Sequence, residues 1–495
     1  MTTPLHRQKR LQKKPSDNSM PNQTSNHDGA SFRKWVHFLS LWFVCTVCPA
    51  SPPNIVLIVA DDLGYGDLAC YGGVAKTPHL DQMAREGLRF TDFHSNGSVC
   101  SPTRASLMTG RYPHRLGIED ALPIDWEDNG IGAERNRHEI TVATRLRQAG
   151  YATGIFGKWH LGKHADSNPT RHGFDEFRGL TCGCGDYFAK LDRAGYEDWW
   201  HNHQKVPEGG YVTKVLTDHA TRFIRENQTR PFFLYLPHLA IHFPWQGPND
   251  EDLGVRQKGQ SFTSNAPGPG SKLGPHSPEE IPSVVVQMIE ELDASVGQVM
   301  GTLKQLGLDE KTLVFFTSDN GGYVSYAKAY THGISSNGPL RGQKGDVYEG
   351  GHRVAAIAHW PGKIPAGQVS TTTAMSMDLM PTFLELAKLP TPESTGPNAM
   401  DGISLVPILF EGQSLPERSV FWRNGSKHYR AVRRGPWKLV VPANKKPVEL
   451  YQVDNDLSEK RDLSTEQPEQ VKRLMADLLL WEKSLPLPLS GKNEP

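Results

Sequence analysis

Cys100-Ser-Pro-Thr-Arg104 sets a thiol four residues before a guanidinium, in a run that reads as a short helix stopping at Thr109-Gly110. Proline just inside a helix and glycine just past it are the usual punctuation. Free N–H groups and the positive dipole end make such a helix mouth an anion site. A thiol placed there is expected to have a lowered pKa and to be nucleophilic, with Arg104 one turn along the same face. A cysteine merely buried in the helix cap is the alternative. A cysteine phosphatase is another, but it needs a longer cysteine-to-arginine loop and no metal cluster.

Asp61-Asp62 and Asp319-Asn320 follow the apolar runs Asn54–Ala60 and Thr312–Thr317. Adjacent carboxylates at a strand end repel unless a cation lies between them. Three carboxylates and an amide oxygen, without histidine, suit Ca²⁺ or Mg²⁺ rather than zinc. Either pair alone could equally cap a turn. Lys158-Trp-His160-Leu-Gly-Lys163-His164 follows Tyr151–Phe156, and Pro237-His238-Leu-Ala-Ile-His242 follows Pro231–Leu236. Lysine holds an anion, whereas histidine exchanges a proton near neutral pH. If the segment is extended, Lys158 and His160 point the same way. Lys163 and His164 are assigned to the rim, and His238 to a neighbour's place. Trp199, Trp200, His201 and Trp245 are read as sugar-stacking or core residues.

The elements that carry these residues alternate. Helical patterns at Thr77–Gly87, Thr141–Gly150, Val212–Glu226 and Ser283–Leu306 lie between the apolar runs, and Val354–Trp360 reads as a further strand. That rhythm predicts an α/β fold with a large, mostly parallel sheet sandwiched by helices. Ligands of such sheets bind beyond the carboxyl ends of the strands, so the strand-end clusters must converge on one edge. Gly247–Pro282 and Pro390–Asp401 read as loops. After Pro416, short strands near 420–423, 429–433, 437–441 and 448–452 and a helix near 468–483 predict a small antiparallel α+β domain.

With 54 Lys+Arg against 54 Asp+Glu, no global field favours nucleic acid. Residues 1–34 carry seven Lys/Arg and two Asp, followed by the short apolar stretch Trp35–Cys48 and Pro-Ala-Ser-Pro-Pro. This is the build of a secretory signal, with Met20 an alternative start. The domains are therefore a leader at 1–50, a catalytic domain at 51–415 and a C-terminal domain at 416–495. The protein is expected to be secreted, periplasmic or otherwise extracytoplasmic, with no membrane contact beyond the leader. Cys45 and Cys48 belong to the leader, and Cys182-Gly-Cys184 is too tight for an easy bridge, so no disulfide is assigned. Asn96, Asn227 and Asn424 head N-glycosylation patterns.

Cys100-Ser-Pro-Thr-Arg104 with the following Thr109-Gly-Arg111 resembles the signature of the type I sulfatases. Asp61-Asp-Leu-Gly-Tyr-Gly-Asp67, Gly157-Lys-Trp-His-Leu-Gly162, His238-Leu-Ala-Ile-His-Phe-Pro244, Ser318-Asp-Asn-Gly-Gly322 and Arg341-Gly-Gln-Lys-Gly-Asp-Val-Tyr-Glu-Gly-Gly351 resemble further family motifs in the same order. The resemblance implies an alkaline phosphatase/sulfatase-like fold. It implies that a formylglycine-generating maturation enzyme oxidises Cys100 to Cα-formylglycine (3-oxoalanine), whose hydrate attacks sulfur. Asp61, Asp62, Asp319 and Asn320 would hold Ca²⁺, with residue 100 facing it, and Arg104 would steady the hydrate. Lys158, His242 and Lys344 would clamp the sulfate, and His242 or Lys344 would protonate the leaving alcohol. His160 would take a proton from the second hydroxyl, so that the sulfated hemiacetal expels sulfate. The substrate would be a sulfated small molecule or saccharide, aryl or carbohydrate. Alternatives are a phosphate or phosphonate ester hydrolase of the same superfold, or a non-catalytic binder of sulfated glycans. One departure stands out: some relatives carry a sulfate-contacting serine where this chain has Thr181-Cys-Gly-Cys-Gly-Asp186.

Overall fold

The computed structural model describes residues 52–486 apart from 124–129, 134–135, 137–138, 254–255, 262–273, 327–332, 393–398 and 445. The leader read at 1–50 lies outside the described residues, as do parts of both assigned loops. Residues 51–495 form one compact unit. Among the described residues no helix is long and apolar enough to cross a membrane.

The run Asn54–Ala60 forms β1, every residue buried, as expected of a strand covered on both faces. It pairs in parallel with β8 (Phe232–Pro237) on one side and β9 (Thr312–Ser318) on the other. β8 pairs in parallel with β4 (Ala152–Lys158), and β4 with β5 (Glu176–Leu180). Beyond β9, β10 (Ala356–His359) runs antiparallel, followed by β2 (Leu88–Phe90) and β11 (Gln368–Ser370). Beyond β5, β6 (Trp200–His201) and β7 (Gln204–Lys205) close the other edge as an antiparallel pair. The sheet is thus mixed and mostly parallel. β3 (Phe93–His94) and β12 (Ala374–Met375) make a separate pair.

The pleat of β1 explains the two cores. Val56, Ile58 and Ala60 pack into one apolar cluster, and Ile55, Leu57 and Val59 into another on the opposite face. The first face is covered by α1 (Pro78–Glu86), α4 (Val212–Glu226) and α5 (Ile281–Gln305). The second is covered by α2 (Cys100–Thr109), α3 (Val142–Gln148) and α7 (Leu379–Leu386). The grammar read for α3 holds, since the Thr141 side chain accepts from Thr144 N. At α1, Thr77 occupies the cap position without a side-chain cap bond. The short helices α6 (Glu349–His352) and α8 (Val406–Phe410) complete this part.

The closing segment forms β13 (Ser419–Arg423), β14 (Arg430–Arg434), β15 (Trp437–Val441) and β16 (Glu449–Gln452), an antiparallel sheet covered by α9 (Pro468–Ser484). A buried ionic network joins it to the large sheet. Lys438 Nζ reaches Glu349 and Glu459, each at 2.9 Å, and Arg433 donates to Asp92 at 2.7 Å. His94 and His352 meet at 3.0 Å, with the His352 ring stacked on Trp422 at 3.9 Å. Burying these charges is tolerable only because each meets an opposite one.

Candidate active site

The parallel strands β9, β1, β8 and β4 lie side by side, so their carboxyl ends share one edge. The backbone ties the loops leaving them together. Asp61 N donates to Ala240 O at 2.8 Å, Asp319 N to Ala60 O at 3.1 Å, and Lys344 N to Gly322 O at 3.2 Å. Gly345 N donates to Ser98 O at 2.7 Å, joining the Lys344 loop to the entry of α2. Gly321 is obligatory, because a Cβ there would lie 1.8 Å from Gly350 O.

Cys100 opens α2, a helix buried on every side. Its Sγ lies within 4.8 Å of an Asp61 oxygen and a His242 ring nitrogen. Around it, three cations and three carboxylates are paired. Arg104 donates through Nε and Nη2 to Asp319 Oδ2, at 3.0 and 2.7 Å, and through Nη1 to the Lys158 carbonyl at 2.7 Å. Lys158 Nζ donates to Asp61 Oδ2 at 2.5 Å, and Lys344 Nζ lies 2.6 Å from Asp62 Oδ1. Asn320 Nδ2 donates to Asp62 Oδ1 at 2.8 Å. Burial, reinforced by Asp319, raises the pKa of Asp61. Burial opposes ionisation of Asp62 too, but Lys344 and His242 overcome it and hold that carboxyl low.

The oxygens fit a hard cation. Asp61 Oδ1, Asp62 Oδ2 and Asn320 Oδ1 are buried and have no hydrogen-bond partner. Carboxylate oxygens of Asp61, Asp62 and Asp319 lie within 4.8 Å of one another. Orphaned buried acceptors are costly, and an oxygen-coordinated divalent ion would satisfy all three. The buried His94–Glu349–His352 group has comparable spacing, but there Lys438 already supplies the cation.

The two histidines are set in defined tautomers. His160 Nε2 lies 3.0 Å from Leu122 O, so it carries the proton, and buried Nδ1 is left unpartnered with its lone pair. Leu122 N in turn donates to Ser101 Oγ of α2 at 3.0 Å, fixing the ring relative to the helix. His242 Nδ1 donates to Phe243 O at 2.7 Å, which leaves Nε2 facing Asp62 at 3.6 Å. Burial first, then Lys158 for His160 and Lys344 for His242, push both rings well below the ordinary histidine range.

Cys100, Arg104, Lys158, His160, His242, Lys344, Asp61, Asp62, Asp319 and Asn320 are thus all buried around one edge of the sheet. Some expectations need correction. The Cys100 thiol is pushed up, not down: its burial and the nearby Asp61 and Asp319 outweigh Lys158 and Lys344. The segment after Lys158 is not extended, because β4 ends there and His160 has φ 54°. Of the two readings given for them, Trp199 and Trp245 take the core one, 4% and 1% exposed. All three glycosylation asparagines are buried, and their side-chain amides are engaged: Asn96 with Ser376, Asn227 with Phe223 O, Asn424 with Ser98. His238 is a neighbour as read, 3.0 Å from Ser295 Oγ, and half-exposed Lys163 pairs with Asp192 at 2.9 Å.

Several supporting residues went unread. Tyr187 Oη donates toward Leu239 O and His242 O, at 2.9 and 3.0 Å, holding the His242 turn. Asp67 accepts from Gly64 N at 2.7 Å and Ser335 Oγ at 2.5 Å, closing the Asp61–Asp62 loop. Within Thr181–Asp186, a Cβ on Gly183 would lie 2.5 Å from the His160 ring. Asn424, between β13 and β14, donates to Ser98 Oγ at 3.2 Å and Gly345 O at 3.3 Å. It spans the approaches to Cys100 and Lys344. Asn424→Ala is expected to cut kcat about tenfold through loss of these bonds, with a fall of about 1–3 kcal/mol in stability. Steady-state kinetics beside urea unfolding checks this, and an unchanged kcat would leave Asn424 a packing residue.

Cations on two sides and backbone N–H groups at a helix mouth fit a tetrahedral anion. Sheet and site together define a hydrolase of oxyanion esters. The comparisons narrow the class: the chain belongs to the sulfatase family and is a sulfuric ester hydrolase. Residues 53–389 match the sulfatase model, and 343–483 match the C-terminal region of N-sulphoglucosamine sulphohydrolase. The chain is 37% identical over 423 residues to arylsulfatase A of Homo sapiens, covering 79% of this chain and 75% of that protein. It is 36% identical over 405 residues to N-acetylgalactosamine-6-sulfatase of Canis lupus familiaris, covering 78% and 71%. The crystal structure of Ps i-CgsB in complex with k-i-k-neocarrahexaose superposes with a TM-score of 0.76 at 30% identity, covering 89% of this chain and 94% of that one.

Proposed function

We propose that this protein is an extracytoplasmic, Ca²⁺-dependent sulfatase acting on sulfated saccharides through a formylglycine made from Cys100. The observation that carries this reading is the gathering of Cys100, Lys158, Lys344 and His242 around Asp61 and Asp62, beside three unpartnered oxygens of Asp61, Asp62 and Asn320. A saccharide is favoured because the structurally similar Ps i-CgsB was solved with a neocarrahexaose. Residues 51–415 would be the catalytic domain and 416–495 a domain that braces it through Asn424.

Asp61, Asp62, Asp319 and Asn320 would hold the ion, which neutralises charge developing on the sulfate oxygens. Formylglycine supplies a hydrated aldehyde as an oxygen nucleophile with a second hydroxyl to spare. Arg104, anchored on Asp319, fixes the entry of α2 and stabilises negative charge at residue 100. Lys158 and Lys344 draw the sulfate in from two sides. Lys344 carries a proton for the leaving alcohol, and His242, whose Nδ1 donates to Phe243 O, would contact the sulfate only with a second proton on Nε2, as an imidazolium. His160 presents a free Nδ1 lone pair for the second hydroxyl.

The test is turnover of an aryl sulfate and the matching aryl phosphate by matured enzyme, with peptide mapping of residue 100. Sulfate should be preferred, chelation should abolish turnover and Ca²⁺ should restore it. Mapping should find an aldehyde oxygen in place of sulfur. Active protein with an intact Cys100 thiol, or with stoichiometric zinc at the site, would overturn the reading.

A further inference from the structure

The loop 181–199 carries a cation that the chemistry above does not use. Asp198 anchors the loop, accepting from Thr181 N, Thr181 Oγ1 and Cys182 N at 3.1, 2.6 and 2.8 Å. Gly183 then lies against the His160 ring. The chain doubles back, with Gly185 opposite Asp192 and Leu191 opposite Glu197 in antiparallel bridges. In that register Cys184 faces Arg193. Arg193 is therefore held across the turn from a residue adjoining the His160 contact.

Arg193 is exposed, and among the described residues it has no hydrogen bond or ion pair. The acids around it are engaged elsewhere. Asp192 takes Lys163 at 2.9 Å, Glu197 takes Lys258 at 3.4 Å, and Asp186 binds Phe188 N and Ala189 N at 2.9 and 2.6 Å. Beside Lys344 and His242 stands an aromatic wall. Tyr323 lies under Lys344 Nζ at 5.1 Å, Tyr326 meets Tyr323 at 5.2 Å and Phe243 at 5.3 Å, and Phe243 lies 4.2 Å from the His242 ring. Both tyrosines are half-buried. Cys184, which faces Arg193 in the bridge register, and Arg193 both act electrostatically on Tyr326, so the guanidinium lies near the wall.

We propose that Arg193 anchors a second anion subsite, binding a sulfate or carboxylate on the saccharide whose scissile sulfate lies between Lys158 and Lys344, with Tyr326 packed on the sugar. This rests on the sulfate-ester reading above. A planar guanidinium fork suits both oxyanions bidentately. In water an unpaired surface arginine contributes little, but substrate that covers it removes that water and strengthens the contact. The subsite therefore selects substrates with two anionic groups and leaves the bond-breaking step unchanged.

The test compares wild type, Arg193→Ala and Arg193→Lys, all matured and Ca²⁺-loaded. Substrates are an aryl sulfate, galactose and hexosamine monosulfates, their disulfated counterparts, and a monosulfated disaccharide bearing a uronate. Arg193→Ala should raise KM about tenfold or more for doubly anionic substrates with kcat held, and leave the aryl sulfate unchanged. Arg193→Lys should recover part of the loss. A response with disulfates alone identifies sulfate as the second group, and one with the uronate alone identifies carboxylate. An equal fall on every substrate, or no wild-type preference for a second anion, overturns the subsite while aryl sulfate turnover upholds the underlying reading. If no sulfate ester is cleaved, that reading falls and the subsite with it.

Discussion

Cys100→Ala is expected to fold like the parent and to lose sulfate ester hydrolysis by a factor of about 10⁴ or more. The fold should survive because little is removed. Cys100 is 2% exposed in a helix buried on every side, and α2 keeps its Gly110 stop, whose N–H donates to Ser106 O. Deleting one sulfur from such a place costs about 1 kcal/mol. Activity should vanish because no neighbour can substitute: Lys158, Lys344 and Arg104 are cations paired to carboxylates, and Asp61 and Asp62 lie in the oxygen set. The raised thiol pKa fits this role, because a residue to be converted to an aldehyde has no need of a thiolate. Cys100→Ser sharpens the test. A lone hydroxyl accepts sulfur once but has no second hydroxyl with which to expel it. At most one leaving group per site should appear, followed by silence. Turnover by Cys100→Ala within about tenfold of the parent would show that residue 100 is not the nucleophile.

The strand-end geometry was legible because it depends on local signals. β1, β4, β8 and β9 announce themselves as short apolar runs, and each is followed by the polar residues that the structure brings together. The helix Val212–Glu226 matched its pattern to the residue, and the C-terminal strands fell within a residue of their expected places. What stayed hidden is what long-range contacts decide. β10 reads as one more buried strand, but it runs antiparallel to β9 and pairs on its other side with β2, over 260 residues away in the chain. Nothing local to Arg341–Gly351 places Lys344 beside Asp62; only the family resemblance pointed there. Asn424 looked like a glycosylation acceptor, because a sequon says nothing of burial. The Cys100 pKa was misjudged for a related reason. The helix-mouth argument counts the dipole, whereas Asp61 and Asp319 arrive from distant strand ends and burial outweighs both.

His160→Ala is expected to separate the two halves of the cycle. His160 Nε2 is bound to the Leu122 carbonyl, so the Nδ1 lone pair is the one available for a proton. Burial, Lys158 and Arg104 keep the ring neutral, and a neutral imidazole is a base rather than an anion ligand. Capture of sulfate should therefore survive its loss, since Lys158, Lys344 and the Arg104–Asp319 pair remain. Proton removal from the second hydroxyl should not, and steady-state turnover should fall about 10²–10⁴-fold. The variant should release about one leaving group per site and then stall with sulfate attached to residue 100. Rapid mixing with an aryl sulfate reads the burst, and mass spectrometry of the quenched protein reads the added sulfate. Gly183→Ala gives a second route to the same effect, because its Cβ would displace the ring without deleting it. It should show a milder stall with the same adduct. Steady turnover by His160→Ala with a raised KM, no burst and no adduct would make His160 a sulfate contact, and the proton would then have to leave by another group.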